Sequence, residues 1–250
     1  METFFGHPYE SYPFIMFSID HITMIIVFLL VTCFLYISRK KLAMFDKSIR
    51  LGMFLGLFIL EALYHIWLYK DGYWDISFTL PLQLCSISLI LCLILLSTKS
   101  NVIFQIVFFI GITGAFMAII TPELFLGFPH FRYFQFFITH MLIIWTCLYF
   151  VFTHQYRPTV KGLCWSFLFL NISATIAFFV NKLTEGNYMF LAYKPTNGSL
   201  LDYFGPYPYY ILSLEAAALL LFIIILLPFR LKEPFRKKQH KEEDWTKEYR

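Results

Sequence analysis

Charge is scarce in this chain: Asp, Glu, Lys and Arg make up 14% of its 250 residues. A soluble domain carries about 25%, so most of the surface faces something other than water. Cysteine is equally uninformative as a scaffold. Cys33, Cys85, Cys92, Cys147 and Cys164 all lie inside apolar runs, and no CxxC pair occurs. An odd number with none in a loop gives no support to a disulfide framework. The first thirteen residues contain Glu2 and Glu10 but no Lys or Arg. A cleavable signal peptide opens with positive charge, so residues 21–38 read as a retained helix. HxxxH and HExxH spacings are absent, which leaves only a weak case for a metal site. No internal repeat is evident, which weakens an inverted-repeat transporter.

What is present is apolar length. Hydrophobic residues make up 59% of the chain, and seven runs long enough to span a bilayer lie at about 21–38, 50–69, 79–97, 102–120, 133–153, 162–180 and 209–229. The third carries Pro81 and Gln83 near its start, where a first-turn proline is tolerated. The fold expected is all-α: a polytopic seven-helix membrane bundle in one domain, 1–229, followed by a charged cytoplasmic tail, 230–250. Sixteen of the twenty lysines and arginines fall in 39–50, 98–101, 154–161 and 230–250. The positive-inside rule then puts the N-terminus outside and the C-terminus in the cytoplasm. The tail reads as a solvated or partly disordered extension. The aromatic, Gly- and Pro-containing segment 181–208 reads as a loop over the outer mouth.

Ionisable residues inside spans are costly and mark function by default. The second run holds Glu61 and His65, the fifth His140 and the seventh Glu215; Cys85 joins them from the third. On the expected topology all five lie ~6–12 Å below the outer surface, so they are expected in one shared cavity. Glu61 and His65 are i,i+4 neighbours, and Cys85, Ser88 and Cys92 form one stripe. Gly111, Gly114, Ala115 and Ala118 make a close-packing face, and Ala216–Ala218 suggest tight packing beside Glu215. Cys33, Cys92, Cys147 and Cys164 read as small hydrophobes. Cys85 together with a histidine supports acyl transfer through a thioester. Two other readings stay open. One is a non-enzymatic lipid or small-solute binder or transporter with Glu61, His65, His140 and Glu215 as a protonatable site. The other is a metal-dependent membrane hydrolase. The partners expected are membrane lipids and no nucleic acid, with no cofactor and no metal.

Several short motifs add to this. Pro81-Leu82-Gln83-Leu84-Cys85, Gly111-Ile112-Thr113-Gly114 with Thr121-Pro122, Phe134-Gln135-Phe136-Phe137 through His140, Asn187-Tyr188-Met189 and Gly205-Pro206-Tyr207-Pro208-Tyr209 together resemble the YwaF-like family of bacterial integral membrane proteins. That family is distantly similar to the transmembrane protein 164 family of cysteine acyltransferases acting on phospholipid acyl chains. It is more distantly similar to androgen-induced serine-hydrolase-like membrane enzymes that use a Thr and a His. The resemblance implies Cys85 as nucleophile and His140 as general base; Glu61, His65, Gln83, Gln135, Asn187 and Glu215 are expected in supporting or substrate-binding places. It departs at Gln83, where many relatives are expected to carry His: an amide can donate to an oxyanion but cannot take a proton. Gln83, Ser88 and Thr139 are the candidate oxyanion donors. The function implied is transfer or hydrolysis of a lipid acyl group at the outer leaflet of a bacterial plasma membrane.

Overall fold

A computed structural model describes residues 2–6, 12–195 and 200–248, with side chains for 4–6, 12–195 and 201–231. Among these, the secondary structure is helical: α1 (Glu2–Phe5), α2 (Ile19–Met44), α3 (Asp46–Lys70), α4 (Leu84–Thr98), α5 (Asn101–Ile120), α6 (Phe131–Thr153), α7 (Val160–Thr184) and α8 (Tyr209–Glu248), with 3-10 turns at Tyr188–Phe190 and Leu200–Phe204. Six helices, α2, α3, α5, α6, α7 and α8 over Tyr209–Leu231, are long and apolar enough to cross a membrane. The chain is a multi-pass membrane protein.

The third expected span falls short. α4 has 15 residues, ~22 Å of rise against a hydrocarbon core of ~30 Å. Pro81 does not sit in its first turn as expected: residues 79–83 are non-helical, and the helix starts only after Gln83. The reason is local. Pro81 disfavours helix at Leu80, and the Thr79 hydroxyl and Leu82 N–H bond back to Asp75 and Leu80 carbonyls.

Other helices outrun their apolar segments. α2 continues through Arg39, Lys40 and Lys41 to Met44, and α3 begins after the single residue Phe45. The expected loop at 39–49 is therefore nearly all helix. Lys and Arg are good helix formers and suit a helix C-terminus, as Asp46 suits the N-terminus that follows. For the same reason α8 runs through the charged tail to Glu248 without a break. Side-chain acceptors cap α2, α5, α6 and α7: Ser18, Ser100, His130 and Thr159.

α6 is the most buried of the six long helices. It packs against α2, α3, α4 and α5, while α5 also meets α7 and α8. α5 and α6 thus form a central pair, with α2, α3 and α4 on one side and α7 and α8 on the other. The small-residue face of α5 permits the close approach. A Cβ on Gly111 would come 3.1 Å from Ile143 and 3.6 Å from Ser88, and one on Gly114 3.3 Å from Leu84.

The basic segments meet at one end of the bundle. Asp46 accepts from Arg50 Nε at 3.0 Å and His154 Nε2 at 2.7 Å, pairs with Lys99 Nζ at 3.0 Å, and takes the Tyr149 hydroxyl at 3.0 Å. One carboxylate therefore ties α3, the α4–α5 turn and the end of α6. At the opposite end, His21 Nε2 bonds Ile119 O at 2.8 Å, and Phe14 N–H reaches Phe125 O at 3.1 Å.

Candidate functional site

The site is built from the register of α4, α5 and α6. α5 runs antiparallel to both neighbours, with Gly111 against Ile143 of α6 and Gly114 against Leu84 of α4, and Val107 O facing the Cys147 thiol at 3.6 Å. α4 and α6 are therefore parallel. Cys92 of α4 sits against Thr146 and Cys147 of α6, its sulfur 3.9 Å from Ile143 O. Seven residues along a helix is two turns and returns nearly the same face. Two turns from Cys92, Cys85 falls at the level of Thr139 and His140. The level set by Leu84 and Gly114 leads to the same pairing.

Cys85 is half-buried in the first turn of α4. Ile87 N–H closes that turn on Gln83 O at 3.0 Å, and no side chain caps it. The amides of Cys85 and Ser86 precede that bond, so they have no intrahelical acceptor. His140 is 7% exposed, and its Nδ1 lies 2.6 Å from Phe136 O. A carbonyl only accepts, so Nδ1 carries the proton. The neutral ring then keeps its lone pair on Nε2. The Thr139 hydroxyl is buried without a hydrogen-bond partner among the described residues.

The charges of Arg132 and Glu61 both act on Cys85, and that of Arg132 also acts on His140. The Arg132 guanidinium lies 4.3 Å over the Tyr64 ring and 5.5 Å from that of Phe136, and Nη1 donates to Gln135 Oε1. Glu61 faces His65 Nε2 at 3.6 Å, while Trp74 donates to His65 Nδ1 at 3.3 Å. His65 is thereby held at the rim, a step from the Cys85–His140 level.

Three other expected contributors do different work. Gln83 accepts Met189 N–H at 2.9 Å through Oε1, which leaves its NH2 as the donor group. Asn187, expected in a 181–208 loop that begins only after α7 ends at Thr184, spends its amide inside that loop, on Ala192 N, Tyr193 N and Tyr193 O. Ser88 bonds the Leu84 carbonyl of its own helix at 2.7 Å. Glu215 departs from the expected shared cavity. It accepts from Asn171 Nδ2 of α7 at 3.1 Å, on the far side of the α5–α6 pair from α3. Matched depth is no guide to which side of a bundle a helix occupies.

Tyr188 docks the loop onto the approach to α4. Its hydroxyl donates to Ile76 O at 2.6 Å and accepts Leu80 N–H at 2.9 Å, and its backbone exchanges two bonds with Asn181. Burial pushes the Tyr188 phenol up, so it stays protonated and donating across physiological pH.

Arg132 is the residue that sequence reasoning passed over as a loop charge. The signal was available: it is the one Lys or Arg between 121 and 153. It falls in the first turn of α6, where a cation opposes the helix dipole. The uncapped start of α4 was signalled too, by Gln where Ser, Thr, Asp or Asn would cap.

The TMEM164 family model matches residues 16–226, most of the chain and all of this site. The chain belongs to the TMEM164 family. It is also similar to an uncharacterized protein of Treponema pallidum (strain Nichols), 27% identical over 151 residues, covering 60% of this chain and 62% of that relative. No solved structure matches. Among the described residues, no three His, Cys, Asp or Glu side chains are grouped as metal ligands.

Proposed function

We propose that this TMEM164-family protein is a membrane acyltransferase or lipid hydrolase acting on lipid acyl esters through Cys85 and His140, as a YwaF-like member of a bacterial plasma membrane. The observation that supports the reading is the parallel register of α4 and α6, in which Cys85 and His140 fall at one level, with the His140 Nδ1 proton committed to Phe136 O. His140 Nε2 takes the thiol proton, and the Cys85 sulfur attacks the ester carbonyl. As the C–S bond forms, the carbonyl electron pair moves to oxygen. The free amides of Cys85 and Ser86 at the α4 start receive that oxyanion, aided by the helix dipole, with the Gln83 NH2 as a further donor. Collapse breaks the ester C–O bond, and the departing lipid alkoxide takes the proton from His140. A lipid hydroxyl, or water, then gives its proton to His140 and attacks the thioester. The released thiolate recovers the proton. Transfer and hydrolysis differ only in that second nucleophile.

The test is labelling in native membranes with a thiol-reactive acyl-like probe. Intact protein is expected to carry a single adduct at Cys85, and Cys85→Ala none. Equal labelling of the two, or no label together with pH-dependent solute uptake, would favour the binder or transporter reading, in which the Glu61–His65 pair is the protonatable element.

The chain is further proposed to span seven times, with the N-terminus outside, the C-terminal segment 230–250 in the cytoplasm and the Cys85 end at the outer leaflet. The sixteen-to-four division of Lys and Arg supports this orientation. A reporter fused after Arg250 should be active only in the cytoplasm. A tag between Lys194 and Leu200, a stretch that includes residues outside the described ones, should be reached from outside. Protection of that tag in intact cells would reverse the topology and move the chemistry to the inner leaflet.

A further inference from the structure

Beside the Cys85–His140 level, a cleft of about 240 Å³ opens between α3, the 73–78 segment, the 123–126 segment and the start of α6. Tyr64, Trp67, Tyr73 and Phe78 give it aromatic walls, and Arg132 and Glu123 give it charge. We propose that Arg132 is the anion anchor of this cleft and binds the phosphodiester of an acyl-bearing lipid, positioning its ester for Cys85. This inference rests on the acyl-transfer reading.

Three observations carry it. First, Arg132 is half-buried but, among the described residues, forms no ion pair with a carboxylate. Its position in the first turn of α6 adds the positive end of the helix dipole to its own charge, so two positive contributions converge at the cleft. Second, the guanidinium is fixed before any ligand arrives. It stacks on Tyr64 and spends one donor on the buried Gln135, which leaves donors of its rigid fork for a phosphate. Third, the spacing suits a diacyl lipid. Arg132 and His140 are eight residues apart on one helix, ~12 Å of rise, and the arginine side chain leans back toward the Phe136 ring one turn on. A glycerol backbone bridges the remaining gap between phosphate and ester.

The test reads binding and needs no turnover. In full-length Cys85→Ala protein, two short-chain probes with identical acyl chains are titrated: dihexanoyl phosphatidylglycerol and dihexanoylglycerol. Tryptophan fluorescence reports binding through Trp67 in the cleft wall. The phosphodiester lipid is expected to bind about tenfold more tightly than the neutral one, the worth of one charge-assisted contact. Arg132→Gln should bring that ratio close to one, and Arg132→Lys should restore part of it. An unchanged ratio in Arg132→Gln would overturn the assignment. Displacement of the lipid by an equal concentration of inorganic phosphate would also overturn it, by making the cleft a free-anion site. A lost ratio in Arg132→Gln without partial recovery in Arg132→Lys would reduce Arg132 to a packing role. Since Cys85 is already removed, failure here leaves the thioester reading untouched, and failure of the labelling test leaves this one standing.

Discussion

Replacing His140 with Ala should slow alkylation of Cys85 by roughly 100-fold at neutral pH, the lower end of the usual worth of a positioned base. The thiolate is the reactive species, and on the proposed mechanism the Nε2 of His140 generates it. Alkylation rates of wild type and His140→Ala, measured with a small membrane-permeant maleimide and read by mass at Cys85, check this. Cys92 supplies the internal control. It lies two turns along the same helix, fully buried against α6, so Cys92→Ala should leave the Cys85 rate unchanged. Equal rates for wild type and His140→Ala, with both shown to be folded by their elution in mild detergent, would make Cys85 a packing residue.

Gly186→Ala should be the most disruptive single substitution outside the spans. An added Cβ there would collide with the Ser77 carbonyl oxygen and press the Thr184 hydroxyl. The first of these is backbone, which cannot rotate aside. Overpacking of this kind costs about 1–3 kcal/mol, occasionally more, and is expected as a lower unfolding temperature in detergent. Its second effect reaches the site. Gly186 and Tyr188 together hold the 186–193 loop on the 76–83 segment, and Met189 N–H holds Gln83 two residues before Cys85. Displacing the loop should therefore make Cys85 more accessible to bulky maleimides. Gly72→Ala, at a positive-φ glycine with open space around it, separates backbone strain from collision: it should weaken the turn after α3 without exposing Cys85.

Much of the bundle was legible in the sequence because apolar length is a one-dimensional signal. Six of the seven runs became helices long enough to span, including the α5 glycine stripe that lets α4 and α6 come close. The third run was misread. Pro81 and Gln83 sit beside residues as apolar as the helix itself, and hydropathy cannot separate Leu80 and Leu82, which end a loop, from Leu84, which starts a helix. Lateral arrangement was not legible either. Glu215 has the depth of His140 but belongs to α8, beyond the central pair, and pairs with Asn171. Glu61, Cys85 and His140 are carried by α3, α4 and α6, which are mutual neighbours. Arg132 escaped notice because counting charges for topology assigns every loop-adjacent arginine the same meaning.

The shortness of α4 has a mechanical consequence. A helix ~22 Å long beside neighbours that match a ~30 Å core leaves a local deficit of hydrophobic length at the end where Cys85 sits. Lipids relieve such a mismatch by thinning around it, so thinning of the bilayer is expected beside α4. Ester groups, which lie at the base of the headgroup layer, are then lowered toward a thiol that has no way to rise to them. Bilayer thickness becomes a working parameter of the protein: thinner membranes present the ester at less cost, and thicker ones draw it away from the sulfur.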